Sequence, residues 1–567
     1  MTIGPDHGGS ALVALLVAHG VKVVFGLPGG QTAALYDAIE RDDRISHVVV
    51  HDERSAAYAA DAYARLTRTV GVCDATVGPG TAKLPSGLGE AFNSSIPVLA
   101  LVSELPTSTE ARWHRGATSQ ALDQEALLRP VTKWVGTIRR IEDLGPMVRR
   151  AFREAATGRP GPVAVIIHQD ILDGPVPSDS QATDPQAARF GTFPATSPVP
   201  AAEDLAALHQ LLDHAERPLL IVGGGAVGPG SNAMLKRLAD GGIAVATTLS
   251  GKGAIDEHHP MAVGVLGSLG TPAARAAASA ADLLVVAGSK LGSGTTLGWS
   301  LPKPGQQVAQ IDIDPVELGR DRPVEVIVHA DALATLAALH PSERERGSWR
   351  AAVAEARAEW FEQRSVMWSS SETPIDPQRV MGELQRLLGD GHVVIADASL
   401  SSGWVGAFLE SDGGLRTLFP RGLAGLGWAI PAAVGAVEAG APRVVAVMGD
   451  GAAPYAIGEL ATLARQGAPV VMVVLNNSSF GWIRWYRRLT FGRGWEEPDL
   501  PPTRFSDVAA AYGLHAERVE DPERLAGALA EALAIDGPSL IEVVTAMWET
   551  PIAAHREALA KQEVADY

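Results

Sequence analysis

Short apolar runs alternate along the chain with longer stretches in which apolar residues recur every three or four positions. In the first third of the chain the apolar runs are VKVVFGL, SHVVVHD, TVGVCDAT, IPVLALV and GPVAVIIH. The same alternation occurs in two later segments. Apolar runs separated by helical patterns are typical of parallel strands covered by helices on both faces of a sheet. The pattern therefore predicts an α/β protein with three doubly wound parallel-sheet domains.

Breaks in this pattern define the predicted domain boundaries. The first domain spans residues 1–180 and ends in a linker rich in Pro, Ser and Ala with little apolar periodicity. The second domain spans residues 200–340 and is followed by a charged helical connector. The third spans residues 374–548. The remaining tail, residues 549–567, has helical character, and we expect it to act as a lid or to pack on the surface.

Composition narrows the class of protein. Of 567 residues, 46% are hydrophobic and 20% are charged, as in ordinary globular proteins. The net charge of −18 argues against a nucleic-acid or anionic-membrane surface, because both need clustered Lys and Arg. The single cysteine, Cys73, excludes an intrachain disulfide framework and a Cys-based metal cluster. Since neither a signal peptide nor a run of about 18 apolar residues is visible, we expect a cytoplasmic protein without a membrane span.

The third domain places an acidic and an amide side chain at the ends of two predicted strands. RVVAVM runs into Gly449, Asp450 and Gly451, and PVVMVVL leads to Asn477. A βαβ unit makes such strands parallel neighbours, so Asp450 and Asn477 converge at one sheet edge. A carboxylate with an amide oxygen suits Mg²⁺, above all where phosphate oxygens complete the coordination shell.

The residues after Asp450 add a phosphate site to this prediction. The backbone amides of Gly451, Ala452 and Ala453 open the next helix and are placed to hold a phosphate at its positive end. Taken alone, the aspartate or the Asn-Asn pair is explained as well by a helix cap or a turn. The spacing together with the strand context favours the metal and phosphate site.

The order GDG, helix and NN resembles the cofactor motif of thiamine-diphosphate (ThDP) enzymes. In the first domain, VFGLPGGQTAALYDAI, HDERSAAYAADAYARL, ATVGPGTAKLPSGLGEAFNSSIPVLAL and LRPVTKW resemble the N-terminal domain of the acetolactate synthase, benzaldehyde lyase and 2-oxo-acid decarboxylase superfamily. ATTLSGKGAIDEHHP and IDIDP resemble its central domain. The resemblance covers nearly the whole chain. It implies a pyrimidine-binding, a central Rossmann-like and a diphosphate- and Mg²⁺-binding domain, in that order.

The resemblance also implies a catalytic carboxylate at Glu53. In this family a glutamate bonded to the aminopyrimidine ring drives the tautomer that activates the thiazolium. The following helix, AAYAADAYA, is nearly uncharged apart from Asp61, which favours burial over the alternative of a solvated glutamate at a helix start. Relatives usually place His directly before this Glu. Here Asp52 precedes it and His51 lies one position further back, which puts a histidine proton relay in doubt.

Further residues of the cofactor site follow from the same resemblance. The Ser479 carbonyl is implied as a third protein oxygen on the metal. In FPRGLAGLGW, the Ala424 carbonyl is implied as an acceptor for the aminopyrimidine and Leu426 as the wedge that bends the cofactor. In ADASLSSGW, Ser401 and Ser402 are candidates for the diphosphate. An ordinary core position is the alternative for Leu426.

Two glutamines are candidates for the substrate side of the site. Gln120 lies where relatives have a glutamine facing the reacting carbonyl, and Gln31 lies where some members present a polar side chain to the substrate. Both amides can stabilise an oxyanion, and both can equally be structural hydrogen bonders. Because the family pairs domains of different subunits, the resemblance also implies at least a homodimer and commonly a homotetramer.

The reaction is predicted less sharply than the cofactor. In the family, the carbanion of the ThDP thiazolium adds to a carbonyl, and the adduct fragments or condenses with a second carbonyl. Acetolactate synthases, which act on 2-oxo acids, match best. Two departures suggest another donor or acceptor: Tyr486 aligns with their usual tryptophan, and Ser119 with their usual bulky aromatic residue. FAD is doubtful, since GSKLGSGTTLGW stands where they carry an RFDDR-like stretch.

Four other hypotheses compete with this one, and the sequence disfavours the last two. A 2-hydroxyacyl-CoA lyase giving formyl-CoA would use the 491–502 loop and the tail as a lid, with Glu496 or Glu497 transferring protons. A GGG stretch with Lys252 or Lys290 suggests ADP or another nucleotide in the central domain, although a lone GGG is weak evidence. A non-catalytic homologue is disfavoured by the presence of Glu53. An NAD-linked dehydrogenase is disfavoured by the lack of a clean G-x-G-x-x-G followed by an acidic residue.

Overall fold

The computed structural model of this chain describes residues 6–113, 117–176, 184–341, 344–413, 416–491, 500–547 and 549–552. Its strands form three six-stranded sheets, and every strand pairing within these sheets is parallel. Helices follow most strands and flank the sheets. The predicted fold class, α/β with three parallel-sheet domains, is therefore confirmed.

The first sheet has the strand order β2-β1-β3-β4-β6-β5. Its strands are β1 Val23–Gly26, β2 Ser46–Val49, β3 Gly71–Ala75, β4 Val98–Glu104, β5 Trp134–Ile138 and β6 Val163–His168. The helices of this part of the chain are α1 Gly8–Ala18, α2 Ala33–Glu40, α3 Glu53–Thr67, α4 Leu84–Ser94, α5 Gln124–Leu128, α6 Leu144–Ala156, α7 Gln169–Asp173 and α8 Ala187–Phe190. The central strands β3, β4 and β6 are buried along their whole length, as expected for a sheet covered on both faces.

The second sheet has the order β12-β11-β10-β7-β8-β9. Its strands are β7 Pro218–Val222, β8 Ala244–Thr247, β9 Ala262–Val265, β10 Leu283–Ala287, β11 Gln307–Asp312 and β12 Val326–His329. Its helices are α9 Ala202–His214, α10 Ser231–Asp240, α11 Pro272–Ala280 and α12 Ala332–Ala338, and α13 Gly347–Trp368 follows as a long connector.

The third sheet has the order β14-β13-β15-β16-β18-β17. Its strands are β13 Val393–Ala396, β14 Arg416–Leu418, β15 Val444–Gly449, β16 Val470–Asn476, β17 His515–Val519 and β18 Ser539–Val544. The helices are α14 Pro377–Leu387, α15 Leu400–Phe408, α16 Ala429–Glu438, α17 Leu460–Gln466, α18 Gly481–Phe491, α19 Phe505–Ala511 and α20 Pro522–Ala534. β15 and β16 are direct neighbours with Gly449 opposite Leu475, which brings the ends of these two strands together.

The chain divides into two compact units that are discontinuous in sequence. The first consists of Met1–Thr196, Pro420–Ala441 and Tyr455–Ala468, and the second of Ser197–Phe419, Pro442–Pro454 and Pro469–Tyr567. Within the first unit α16 packs closely on α3. The measure of this approach is that a Cβ added at Gly435 would lie 2.1 Å from the Ala59 carbonyl oxygen. Two alanine-rich helices thus approach backbone to backbone.

Within the described ranges, no helix is both long and apolar enough to cross a membrane.

Candidate functional site

In the first unit, Glu53 opens helix α3 with its carboxylate buried. The preceding Asp52 caps the helix by accepting a hydrogen bond from Arg54 N at 2.9 Å, so the chain turns into the helix at this point. Glu53 is only 3% exposed, and its Oε2 lies 3.2 Å from Lys83 Nζ. Among the described residues Oε2 receives no regular hydrogen bond. The carboxylate therefore keeps acceptor capacity for the N–H of a ligand.

The neighbouring loop leaves room for this carboxylate. A Cβ added at Gly80 would lie 2.8 Å from Glu53 Oε1, so only a glycine fits there without displacement.

His51 is engaged by another segment of the same unit: its backbone N donates to Glu459 at 3.0 Å, and its Nδ1 lies 3.2 Å from Thr462 Oγ1. His51 therefore forms its hydrogen bonds with Glu459 and Thr462, which are contacts other than a proton relay to Glu53.

The two candidate glutamines lie together. Gln31 Nε2 donates to Gln120 Oε1 at 3.2 Å, and Gln31 Oε1 accepts from Thr76 Oγ1 at 2.9 Å. Gln120 has a left-handed backbone with φ of 66° and is exposed. The first-unit residues expected at the substrate side therefore form one polar pair.

The loop that carries Ala424 and Leu426 is held by a carboxylate that the sequence did not reveal. Buried Glu90 accepts hydrogen bonds from the backbone amides of Gly422 at 2.7 Å, Leu423 at 2.8 Å and Ala424 at 3.0 Å. Ala424 itself has a left-handed φ of 55°, and Leu426 is half-buried. A carboxylate with three donors fixes a backbone that would otherwise have unpaired amides.

The charge on Glu90 is balanced from its other side. Burial acts to raise the pKa of Glu90, but the Arg65 guanidinium, 3.3 Å away, and the loop amides outweigh burial, so the pKa is lowered. Glu90 is therefore an anion at neutral pH. The signal available in the sequence was a lone acidic residue inside the otherwise apolar and glycine-rich helix LPSGLGEAFNS.

In the second unit, Asp450 and Asn477 follow the neighbouring strands β15 and β16. Asp450 is 4% exposed. Its Oδ1 accepts from Gly451 N at 2.9 Å, and its Oδ2 accepts from Asn477 N at 3.1 Å and Ser479 N at 3.3 Å. Burial raises the pKa of Asp450 to about 6 against the opposing effect of these amides. The loop after β16 is thus folded around one carboxylate.

A cavity opens at this edge of the third sheet. Its lining includes Asp450 together with Ser399, Ser401, Gly449, Gly451, Ala452, Asn477, Ser479 and Glu549. Ser399 turns the chain into α15 with φ 70° and ψ −143°, a conformation that side chains rarely adopt and that is found at ligand sites. The arrangement brings two carboxylates, those of Asp450 and Glu549, one amide, serine hydroxyls and several backbone groups to a single concave surface.

Two candidate residues of this unit are placed away from that lining. Ser402 is fully buried, and its Oγ donates to the Asp397 carbonyl at 2.7 Å. Ala453 is also buried, one residue beyond Ala452. Their neighbours Ser401 and Ala452 line the cavity. Ser401 and Ser402 point differently because they follow each other in α15, whereas Gly451 and Ala452 lie in a turn and Ala453 begins a 3-10 helix instead of the expected longer helix.

The donors at the cavity fit a hard divalent cation bound through oxygen. Among the described residues, no group of three or more His, Cys, Asp and Glu side chains is close enough to hold a metal ion. The available set is instead the Asp450 carboxylate, the Asn477 amide and the Ser479 carbonyl, which is the kind of set that Mg²⁺ uses when phosphates and water complete its shell. The residues present therefore fit a metal-bound diphosphate.

Several predicted features lie elsewhere. The 491–502 loop falls largely, and the 549–567 tail mostly, outside the described residues, as do Glu496 and Glu497. In the central domain the Lys252 ammonium is buried 2.6 Å from Glu257 Oε2 and serves an ion pair within the fold. The glycine stretch at 223–225 packs against the turn at Gly288.

Family comparisons agree with the order of the three domains. Residues 6–127 match the thiamine pyrophosphate (TPP) enzyme N-terminal TPP binding domain, residues 205–339 match the central domain, and residues 397–543 match the C-terminal TPP binding domain.

Curated relatives are similar along almost their whole length. A probable acetolactate synthase large subunit of Methanocaldococcus jannaschii is 32% identical over 554 residues, covering 95% of this chain and 91% of the relative. The acetolactate synthase large subunit of Parasynechococcus marenigrum is 33% identical over 94% of this chain and 87% of the relative. The acetolactate synthase of Arthrospira platensis is 32% identical over 94% of this chain and 93% of the relative.

Proposed function

The chain belongs to the thiamine pyrophosphate (ThDP) enzyme family, whose members with this domain order form or cleave C–C bonds. On that premise we propose that it is an acetolactate-synthase-like carboligase, which acts on 2-oxo acids with Mg²⁺. The observation that carries the proposal is the end-to-end similarity to relatives named acetolactate synthase. When bound, ThDP supplies a carbanion that adds to the substrate carbonyl.

The first unit would hold the pyrimidine half of the cofactor. The buried Glu53 carboxylate, whose Oε2 receives no regular hydrogen bond among the described residues, would accept a hydrogen bond from the ring N–H. The carboxyl and the ring nitrogen could then exchange this proton. The Ala424 carbonyl would accept from the exocyclic amine, and the Leu426 side chain would support the bend between the two rings. Glu90 supports this by fixing the backbone of the loop that carries both residues.

The second unit would hold the diphosphate half. Asp450, Asn477 and the Ser479 carbonyl would bind Mg²⁺, because they line the same cavity as Gly451 and Ala452. Within the protein Gly451 N donates to Asp450 Oδ1 and Ala452 N donates to the Gly449 carbonyl, so these two amides would exchange those acceptors for phosphate oxygens. Ser401 would add a hydroxyl donor from the start of α15. Ser402 and Ala453 would act behind this surface, Ser402 by holding the turn through Asp397.

Gln31 and Gln120 would bind the substrate. Their mutual hydrogen bond keeps both amides at one place, where N–H groups can stabilise negative charge developing on the carbonyl oxygen. The 2-oxo acid supplies such an oxygen and a carboxylate beside it.

Product analysis tests the proposal. The purified protein, reconstituted with ThDP and Mg²⁺, would be offered pyruvate, a 2-hydroxyacyl-CoA, and formyl-CoA with acetone in parallel. Release of CO₂ with condensation of two 2-oxo acids supports the carboligase. Turnover of the CoA thioesters alone replaces it with the second candidate, a 2-hydroxyacyl-CoA lyase. Ser119 and Tyr486, which stand where acetolactate synthases usually have a bulky aromatic residue and a tryptophan, suggest a different donor or acceptor.

The role of Glu53 is tested by Glu53→Gln, for which we expect a loss of at least about 10³-fold in kcat with an unchanged fold. Glu142→Gln, at an exposed position of the same domain, is the matched control. Full activity of Glu53→Gln would contradict the proposed ThDP mechanism. Turnover of none of the substrates by the unmodified protein would favour the non-catalytic homologue.

We further propose a homodimer as the minimum active unit, assembled into a homotetramer, in which Glu53 of one subunit and Asp450 of its partner hold the same cofactor. Glu53→Gln and Asp450→Ala would each be inactive. Co-expressed from one cell, the two variants should recover about a quarter of the wild-type activity, because half of the random dimers contain one intact site. No recovery would place both residues of a site on one subunit.

For the central domain we propose a nucleotide such as ADP as ligand, without FAD. Chromatography of the ligands released on denaturation, together with the visible absorbance of the purified protein, distinguishes ADP, FAD and an empty domain.

A further inference from the structure

A buried amide supports the turn between β3 and α4. Gln124, at the start of α5, is 1% exposed. Its Oε1 accepts from Gly78 N at 3.2 Å and from the Thr81 hydroxyl. Its Nε2 donates to the Ser103 carbonyl at 3.0 Å and to Glu104 Oε2 at 2.6 Å. All four hydrogen-bonding positions of the amide are therefore used, and its orientation is fixed.

Glu104 acts together with the Ser103 carbonyl to hold the NH₂ group of this amide on one side. Its Oε1 accepts from Leu105 N at 2.8 Å and its Oε2 from Gln124, so the carboxylate acts as an acceptor on both sides. An ionised Glu104 can be faced only by the NH₂ side of Gln124. The carbonyl side is consequently presented to the turn, where it meets two donors.

The supported turn touches two residues with proposed catalytic roles. A Cβ added at Gly80 would lie 2.8 Å from Glu53 Oε1. Gly78 has a φ of 74°, and a Cβ added there would lie 2.5 Å from the Gln120 carbonyl oxygen. The backbone of this short turn is thus a common wall for Glu53 and Gln120. A displacement of the turn changes the position of one relative to the other.

We propose that Gln124 is a positioning residue, which sets the spacing between Glu53 and Gln120 through the turn that contains Gly78 and Gly80, and that Glu104 orients Gln124 for this task. The inference rests on the proposed roles of Glu53 and Gln120 and goes beyond them. A displacement on the order of 1 Å at such a site is enough to cost about 100-fold in rate.

The test uses near-isosteric exchanges. Gln124→Glu sets two carboxylates against each other across the 2.6 Å contact, and both cannot be ionised there. Glu104→Gln presents an NH₂ group to Leu105 N or to Gln124. In the double variant Glu104→Gln with Gln124→Glu, the new amide at position 104 donates to the new carboxylate at position 124. That carboxylate still accepts from Gly78 N and the Thr81 hydroxyl. Only the Ser103 carbonyl loses its donor.

The expected results separate positioning from stability. At pH 8, Gln124→Glu should lower kcat by about 10-fold or more with a KM change of no more than about 3-fold. Towards pH 6 its activity relative to wild type should rise, since one shared proton re-forms the hydrogen bond. His168 and Glu110, whose charges also act on Glu104, are the same in both proteins. The double variant should recover to within about 3-fold of wild-type kcat and lose this pH dependence.

The matched control is Gln310→Glu in β11 of the central domain. Gln310 is likewise buried, donates to the Glu317 carbonyl at 3.0 Å and accepts from Gly319 N at 2.9 Å. It should lower the Tm without changing the pH profile of kcat. A Gln124→Glu protein that behaves like this control, or a double variant no better than the single ones, would overturn the proposal.

A second readout is independent of the substrate. The rate of C2 hydrogen exchange in enzyme-bound ThDP, followed by NMR, should fall in Gln124→Glu and recover in the double variant. This measurement holds even if the protein proves not to be a carboligase, so failure of the proposed function and failure of this inference are distinguishable. Unchanged exchange in a folded, ThDP-loaded Gln124→Glu would contradict the positioning of Glu53.

Discussion

Gln31 Nε2 donates to Gln120 Oε1 at 3.2 Å, while Gln31 Oε1 is occupied by the hydroxyl of Thr76 at 2.9 Å. Both amide oxygens of the pair therefore accept hydrogen bonds within the protein, and the groups left to meet a ligand include N–H donors of both amides. A pair that offers donors suits an oxygen that carries or gains negative charge. Thr76, which was not among the predicted site residues, fixes the Gln31 oxygen as an acceptor within the protein.

Gln120→Ala should lower kcat/KM by about 10²-fold, because it removes the outer donor at the substrate oxygen. Gln31→Ala should cost less, about 10-fold, and Thr76→Val should raise KM, because the Gln31 amide can then turn its oxygen outward. Steady-state kinetics measure all three. Gln363→Ala, at an exposed site on α13, is the control. If Gln120→Ala stays within about 2-fold of wild type, the pair has only a structural role.

The stability of the metal-free protein should fall as pH rises from about 4 to 6. Burial raises the pKa of Asp450 from 3.8 to about 6, so in this window the folded state holds a proton that the unfolded state has released. Stability that depends on this proton is present at low pH and is lost as pH passes through about 6. Thermal unfolding in EDTA across this range measures the effect, and Asp450→Asn should flatten it.

Mg²⁺ should show the opposite pH dependence at the same residue. The cation needs the ionised carboxylate, so the Mg²⁺-induced rise in Tm, in the presence of ThDP, should be larger at pH 7 than at pH 5. Asp450→Asn should abolish the rise, whereas Asp390→Asn, at an exposed position of the same domain, should keep it. A full Mg²⁺ response in Asp450→Asn would move the metal away from this aspartate.

Glu90→Gln should destabilise the loop that carries Ala424 and Leu426. The amide offers one acceptor oxygen where the carboxylate offered two, so at least one loop N–H faces an NH₂ group, at a cost of about 1–3 kcal/mol. We expect a lower Tm and a weaker affinity of the apo-protein for ThDP, measured by titration of the tryptophan fluorescence. Glu40→Gln, exposed at the end of α2, should change neither. Unchanged ThDP affinity in Glu90→Gln would show that the loop held by Glu90 does not contribute to ThDP binding.

Ser119→Phe should narrow the range of acceptors. Ser119 precedes Gln120, and a phenyl group there restores the bulk that acetolactate synthases usually have. The loss in kcat/KM should be about 10-fold greater for a long-chain 2-oxo acid than for pyruvate, measured as the product ratio in competition. Equal losses for both acceptors would exclude this position from selectivity.

Strand order and local spacing account for what could be predicted. Asp450 and Asn477 were placed at one sheet edge because consecutive parallel strands are usually neighbours, and β15 and β16 are. Glu90 was missed because its partners, the amides of Gly422 to Ala424, are remote in sequence. Ser401 and Ser402 could not be told apart, since the direction of each side chain depends on how α15 begins.

The close packing of α3 against α16 has a consequence for how the chain is made. Helix α3 leaves the ribosome early, whereas its covering helix begins at Ala429, and the last segment of the same unit ends at Ala468. The alanine face of α3 therefore has no native cover until most of the polypeptide has been synthesised. A fragment that ends at Thr196 contains a complete six-stranded sheet and still lacks that cover, so it is expected to need a chaperone or to aggregate when expressed alone.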